Sequence, residues 1–397
     1  MEDTRFINSI WIQNLLSFGP DSKPVNLKPL NVLIGPNASG KSNFINAISI
    51  LQAAPRDISM PLREGGGVGE WIWKGKGEKI AEMGVDFIIP YENMSIDFIQ
   101  PHEKKIVSYT LRIGSTPLDR LYIDTETVMN EIGNFLYSNK NGKVEFGISE
   151  LFAGISPAPE PHLYKSILSQ FGGLHSGSEL TKLANSLQES KIYKDLFVVI
   201  SSIKQPQKTD WPSDFLLESL NNFALIAHDL KERRETAGKI NELMRSFYER
   251  FESIHTKVFG GIIQVLFNEK NLKDPIPASR LSDGTLRFLC LLLILCHPSP
   301  PPLICIEEPE VGLHPDILHT VAELLVEASK RTQLIVTTHS DILVSALSEQ
   351  PESVLVCEHD EQGTHMRRLD QKKLKKWLEN YTLGELWRMG EIGGNRW

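Results

Sequence analysis

The sequence is short of the features that would place it outside an ordinary globular class. It has four cysteines, Cys290, Cys296, Cys305 and Cys357, and no two of them form a C-x-x-C pair. That argues against a disulfide scaffold, and apart from the adjacent Cys296 and His297 no Cys/His spacing suits zinc, so buried reduced thiols are expected. No long apolar run is present: the longest, FLCLLLILC from Phe288 to Cys296, falls well short of the ~20 residues a bilayer demands. The opening MEDTRFINSI carries acids and no apolar secretory core, so a cytoplasmic protein with no membrane role is expected. Positive charge is not in excess either. Against 42 Lys and Arg stand 50 Asp and Glu, a net charge of -8, so any nucleic-acid contact must be local or made through a partner. Heptads, internal repeats and low-complexity tracts are also missing.

The chain that remains reads as α/β. SIWIQNL and PLNVLIG have strand patterns, and KSNFINAISILQAA places Phe44, Ile45, Ile48 and Leu51 at helical spacing. IAEMGVDFIIP is strand-like, and MSIDFIQP with IVSYTLRIG suggests an antiparallel hairpin, which gives a β-rich N-terminal lobe over residues 1–130. Residues 131–265 read as a compact helical insertion, with ELTKLANSLQESKIYKDLFVVISSI and AGKINELMRSFYERFESIHTKVFGGI as helical segments. From 266 to 360 a helix (TLRFLCLLLILC), a strand (PLICIEE), a helix (HPDILHTVAELLVEASK) and two strands (TQLIVTTHS, SVLVCEH) alternate, which implies a mostly parallel sheet. Residues 361–397 form a tail.

GPNASGKS fits G-x-x-x-x-G-K-[ST] between a predicted strand and a predicted helix. In that pattern the backbone of Gly35, Pro36, Asn37, Ala38, Ser39 and Gly40 folds into a nest of N–H groups for phosphates, and the helix N-terminus adds to the field. Lys41 would neutralise the terminal phosphates and Ser42 would offer a hydroxyl to Mg²⁺, with Asn43 following. The bland alternative is a glycine-rich turn before a surface helix. Glu307 and Glu308 end an apolar strand, where two unpaired acids would repel. In strand geometry adjacent side chains point to opposite sides, so one carboxylate can serve a metal shell while the other orients water. A solvated turn is the alternative. His339, at the end of VTTHSD, is either a hydrogen-bonded bystander or a phosphate contact. Ser282 and Gly284, in LSDGT at the start of a long helix, suit an anion site or a plain N-cap by Ser282 or Asp283. Glu310 has no assigned role: it shapes the turn or faces a second subunit.

The order GPNASGKS, LSDGT, ICIEEPEVGLHP, TTHS resembles the ATPase heads of the ABC superfamily. The spelling is most similar to the RecF/SMC branch and to ATPases of the OLD (overcoming lysogenization defect) family. The resemblance covers about 1–115 and 265–360. It implies ATP and Mg²⁺ as ligands, with Gly35 to Ser42 around the triphosphate and Glu307 on the metal through water. Glu308 would be the catalytic base, His339 a contact to the terminal phosphate, and Ser282 and Gly284 a signature reaching the nucleotide of the other subunit. A homodimer sandwiching ATP follows, with a higher assembly open.

The departures also carry expectations. The insertion is too short for an SMC coiled coil. Gln100 is the one candidate for the glutamine that lines the metal site in relatives. Some 40 residues after SVLVCEHD are too few for the Toprim nuclease domain of OLD nucleases, so a nuclease-like effector encoded separately is expected. The function implied is an ATPase whose head dimerisation controls a DNA-linked process, chiefly phage defence. A RecF-like repair ATPase, a low-turnover ATP-binding scaffold and a transporter's nucleotide-binding subunit are the rivals. KERRETAGK and MRRLDQKKLKKWLEN read as solvated faces of amphipathic helices or as a groove for DNA or a partner. The tail segment LGELWRMGEIGGNRW packs on the head or docks a partner.

Overall fold

The computed structural model describes residues 3–91, 103–140, 142–147, 162, 164–171, 178–194, 196, 200–210 and 214–394. Its centre is a six-stranded sheet in the order Gly363–Arg368, Val354–Asp360, Leu30–Ile34, Gln333–Thr337, Leu303–Glu307, Lys191–Tyr193. Every neighbouring pair is parallel except the edge pair Val354–Asp360 with Gly363–Arg368. The four inner strands are apolar because both faces are covered, and their side chains alternate between two cores. Val32, Ile34, Ile304, Ile306, Leu334 and Val336 enter one core, with the buried helix Asp283–Leu295. Leu33, Leu303, Cys305, Ile335, Leu355 and Cys357 enter the other, with helix Lys41–Ala53. All four cysteines are buried as free thiols, and burial pushes the Cys296 thiol up to about 11 and that of Cys357 up to about 12.

The second core is closed by a seven-stranded antiparallel sheet. Ile7–Gln13 lies between Val25–Asn26 and Ile80–Tyr91, followed by Glu103–Ser115, Leu121–Asn130, Phe135–Lys140 and Lys143–Phe146. The strand Glu103–Ser115 pairs with Ile80–Tyr91, Ile80 lying opposite Gly114. The MSIDFIQ segment expected as its partner lies outside the described residues, as does Gln100. Glu126 is wholly buried in this lobe and is fully used: it accepts from Tyr109 Oη (2.7 Å), Ser166 Oγ (2.6 Å) and the Ile167 N–H (2.9 Å).

The stretch 131–265 is not uniformly helical, which corrects the expectation. It holds helices Glu179–Glu189, Phe223–Glu232 and Arg234–Phe247, but it also completes the antiparallel sheet with residues 135–146. Lys191–Tyr193, read as mid-helix, is instead an edge strand of the parallel sheet, with Cys305 opposite Ile192. Phe251–Phe259, read as the end of a helix, pairs antiparallel with Ile262–Glu269. The reason is local: Gly260 and Gly261 take left-handed φ of 55° and 77°, which suits a tight hairpin and ends a helix. The basic MRRLDQKKLKKWLEN is likewise not one helix. Met366, Arg367 and Arg368 belong to an edge strand, and only Gln371–Leu374 is helical. Arg368 is spent inward, on the carbonyls of Asn26 and Glu352 and on Asn31 Oδ1. The tail returns to the head: helix Leu383–Arg388 packs on Asp341–Ser345, and buried Trp387 donates from Nε1 to the Gly394 carbonyl.

Candidate functional site

The strand Leu30–Ile34 ends at Gly35 and the helix Lys41–Ala53 begins six residues later. Two glycines are demanded by what lies behind the loop. Gly35 has φ 149°, and a Cβ there would stand 2.3 Å from the Cys357 carbonyl oxygen. Gly40 has φ 101°, and its Cβ would meet Thr364 Oγ1 at 2.2 Å. With Gly40 as N-cap no side chain satisfies the first N–H groups of the helix, which leaves them to a ligand. The Ser39 N–H closes the loop on the Pro36 carbonyl at 3.2 Å.

Lys41 is buried, and its Nζ donates to the Gly35 and Pro36 carbonyls at 2.8 and 3.0 Å. Among the described residues it has no ion pair. Burial lowers its pKa, while Cys357, Glu308 and Glu310 pull the other way. A buried ammonium held by carbonyls alone, beside a buried Ser39 Oγ with no partner, fits an incoming phosphate. Ser42 is exposed on the first helical turn and Asn43 half-buried behind it.

Glu307 is the last residue of its strand and lies opposite Thr337. With Arg287, Leu291, Glu308 and Val311 it lines a cavity of about 140 Å³. Glu308 breaks the expected pleat. Its φ is 45°, so a left-handed turn, and not strand alternation, separates the two carboxylates. The turn is tied down by the Glu308 N–H, which donates to the Thr337 carbonyl (3.0 Å) and to Thr337 Oγ1 (3.2 Å). Glu308 Oε1 thereby comes to 3.5 Å from His339 Nε2. Burial lowers the His339 pKa, the Lys41 charge acts in the same direction, and Glu308 opposes both.

Lys41, Glu308 and His339 therefore meet at the ends of three adjacent parallel strands. Glu310, to which sequence reasoning gave no role, joins them: its Oε1 accepts from Thr338 Oγ1 (2.8 Å) and from the His339 N–H (2.7 Å). Burial raises its pKa, and these bonds oppose the rise. Its partners lie 28 and 29 residues along the chain, a separation no local pattern signals. No group of three or more His, Cys, Asp or Glu suited to a metal occurs among the described residues. One hydroxyl, one carboxylate and phosphate oxygens suit Mg²⁺.

Ser282 and Gly284 are placed differently. Ser282 Oγ caps its helix, accepting from the Thr285 N–H at 3.1 Å, and Asp283 pairs with Lys204 at 2.7 Å. A Cβ on Gly284 would come within 2.9 Å of the Gly312 carbonyl oxygen, so the helix start abuts the turn after Glu310. No hydrogen bond or ion pair joins Ser282 or Gly284 to the phosphate loop among the described residues.

Residues 30–345 match the AAA_21 family model, described as "AAA domain, putative AbiEii toxin, Type IV TA system". The Old nuclease of Escherichia phage P2 is 24% identical over 378 residues, which cover 88% of this chain and 59% of the nuclease. The chain thus spans about three-fifths of that curated relative's length. Among solved structures, an SMC head bound to the C-terminal winged-helix domain of ScpA aligns with a TM-score of 0.56 at 16% identity, over 93% of this chain and 99% of that one. An SMC head with an extended coiled coil, bound to the C-terminal domain of ScpA from Pyrococcus furiosus, gives 0.57 at 15%, over 94% and 98%. At such identities the likeness is one of fold, and it covers both lobes and the segment between them.

Proposed function

The chain belongs to this AAA-domain family, an SMC- and OLD-related branch of ABC-type ATPases, and on that premise we propose a specific division of labour for ATP hydrolysis. The backbone of Gly35 to Gly40 and the Lys41 ammonium hold the triphosphate. Ser42 and Glu307 would hold Mg²⁺, which would offset the charge of the phosphates. Glu308 takes a proton from the attacking water as it adds to the terminal phosphorus, and ADP leaves. His339, whose pKa is lowered by burial and by the Lys41 charge against the pull of Glu308, donates a hydrogen bond to the terminal phosphate. The observation that carries this reading is the convergence of Lys41, Glu308 and His339 within one chain.

Ser282 and Gly284 make no hydrogen bond or ion pair with their own phosphate loop, and their exposed turn would meet the nucleotide of a second copy. ATP then closes a homodimer, and hydrolysis opens it. The relationship to a phage nuclease supports a DNA-linked role, probing or handling DNA in phage defence, with cleavage performed by a separately encoded nuclease-like effector. Among the described residues no helix is long and apolar enough to cross a membrane.

The test is Glu308→Gln. It is expected to bind ATP, accumulate the dimer on a sizing column and lower turnover by about 100-fold or more. Wild-type hydrolysis in that variant removes Glu308 from the mechanism. Affinity purification of the ATP-locked variant should bring down a nuclease-like protein. Recovery of a membrane permease alone would replace this reading with a transporter subunit.

A further inference from the structure

The turn Glu308 to Leu313 is shaped by its own backbone: the Val311 N–H donates to the Glu308 carbonyl at 3.1 Å and the Leu313 N–H to the Glu310 carbonyl at 3.0 Å. Arg287 adds a bond to the Val311 carbonyl from behind. None of these contacts uses the Glu310 side chain. Burying a carboxylate is costly unless hydrogen bonds repay it, so a residue present only to shape this turn need not be acidic. The bonds that the Glu310 carboxylate makes to other residues run to the neighbouring strand end.

We propose that Glu310 is a positioning residue for hydrolysis, whose carboxylate clamps the Thr338–His339 segment so that the His339 imidazole stays registered against Glu308. The clamp has an internal logic. The Ser340 N–H donates to Thr338 Oγ1 at 3.0 Å, which leaves the Thr338 hydroxyl proton for Glu310. The His339 N–H is the second donor to the same Glu310 oxygen. Ser340 Oγ in turn caps helix Asp341–Ser345 by accepting from the Leu343 N–H, so the segment beyond His339 is fixed too. Glu308 is independently tied to Thr337. Two ties, one on either side of the base, lock the turn carrying Glu308 to the segment carrying His339. The phosphate contact and the base then move together, and nucleotide binding at the phosphate loop does not depend on the clamp.

This inference rests on the role given to His339, and the test separates the two. ATP turnover and ATP affinity are measured for Glu310→Ala, Glu310→Gln, His339→Ala and the Ala/Ala double variant. Glu310→Ala is expected to lower kcat about 30-fold while ATP affinity stays within about threefold, the signature of an interaction used in the transition state. Glu310→Gln keeps an acceptor oxygen at the same reach and recovers at least about a third of wild-type kcat. In the His339→Ala background Glu310→Ala should cost less than about threefold, because residues acting through one another are not additive. Wild-type turnover in His339→Ala would sink the reading of His339 and this inference with it. Impaired His339→Ala with fully additive losses, or a Glu310→Gln as poor as Ala, overturns the positioning role alone. Should Glu310→Ala fail to fold, Glu310→Asp keeps the charge and withdraws the oxygen by one methylene. It is expected to behave worse than Gln, and full activity in it overturns the clamp.

Discussion

Helices Lys41–Ala53 and Asp283–Leu295 are each 13 residues long, run into opposite cores of the same sheet and start beside functional motifs, yet their N-termini are furnished in contrary ways. The first has a glycine cap, no side-chain cap bond and no acid in its first turn, so its open N–H groups face the loop where phosphate would sit. The second is capped by Ser282 and carries Asp283 in its first turn, paired with Lys204, so its dipole is already answered. An uncapped terminus beside a buried lysine is a site that one chain prepares for an anion. A capped terminus at the surface is stable alone, and in the proposed dimer its hydroxyl and glycine would face an anion brought by the second molecule.

That contrast can be broken at several points. Lys41→Ala should have the largest effect, lowering turnover about 100- to 1,000-fold, since it removes the buried ammonium held at the phosphate loop. The sharper experiment mixes Lys41→Ala with Ser282→Arg chains, each inactive alone. If the signature works across the dimer, a 1:1 mixture regains about a quarter of wild-type turnover, because half of the dimers are mixed and each mixed dimer keeps one intact site. No recovery would place Ser282 in the same site as its own Lys41. Gly40→Ala is expected to weaken nucleotide binding about tenfold, from φ 101° and the clash with Thr364. Calorimetric titration reads it, and an unchanged affinity would show that the loop relaxes. The smallest effect is expected of Asp283→Asn. Its ion pair with Lys204 is half-exposed, so thermal melts should move by no more than about 0.5 kcal/mol in stability.

Legibility followed the range of the interactions. The phosphate loop could be read because glycines, lysine and hydroxyl lie within eight residues between a strand and a helix. The end of the strand Leu303–Glu307 could be read from its apolar run. The geometry assigned to its two acids could not, since the left-handed φ of Glu308 is imposed by Thr337, 29 residues away. Lys191–Tyr193 was hidden for a different reason: three residues carry no period, and only the exposed edge of Leu303–Glu307 makes them a strand. Phe251–Phe259 follows a real helix without a proline between them, and the glycine pair at 260 and 261 was the available signal.

Residue type and spacing alone determined that this chain has a phosphate-binding loop, a parallel α/β core and a strand ending in acids, because nested N–H groups and two-sided burial impose requirements on adjacent residues. The tertiary structure alone decided that Glu308 turns toward His339, that Glu310 grips the segment beside it, and that the start of the Ser282 helix abuts the turn after Glu310. Those relations depend on which strand ends lie side by side, and that order arises from packing between residues hundreds of positions apart.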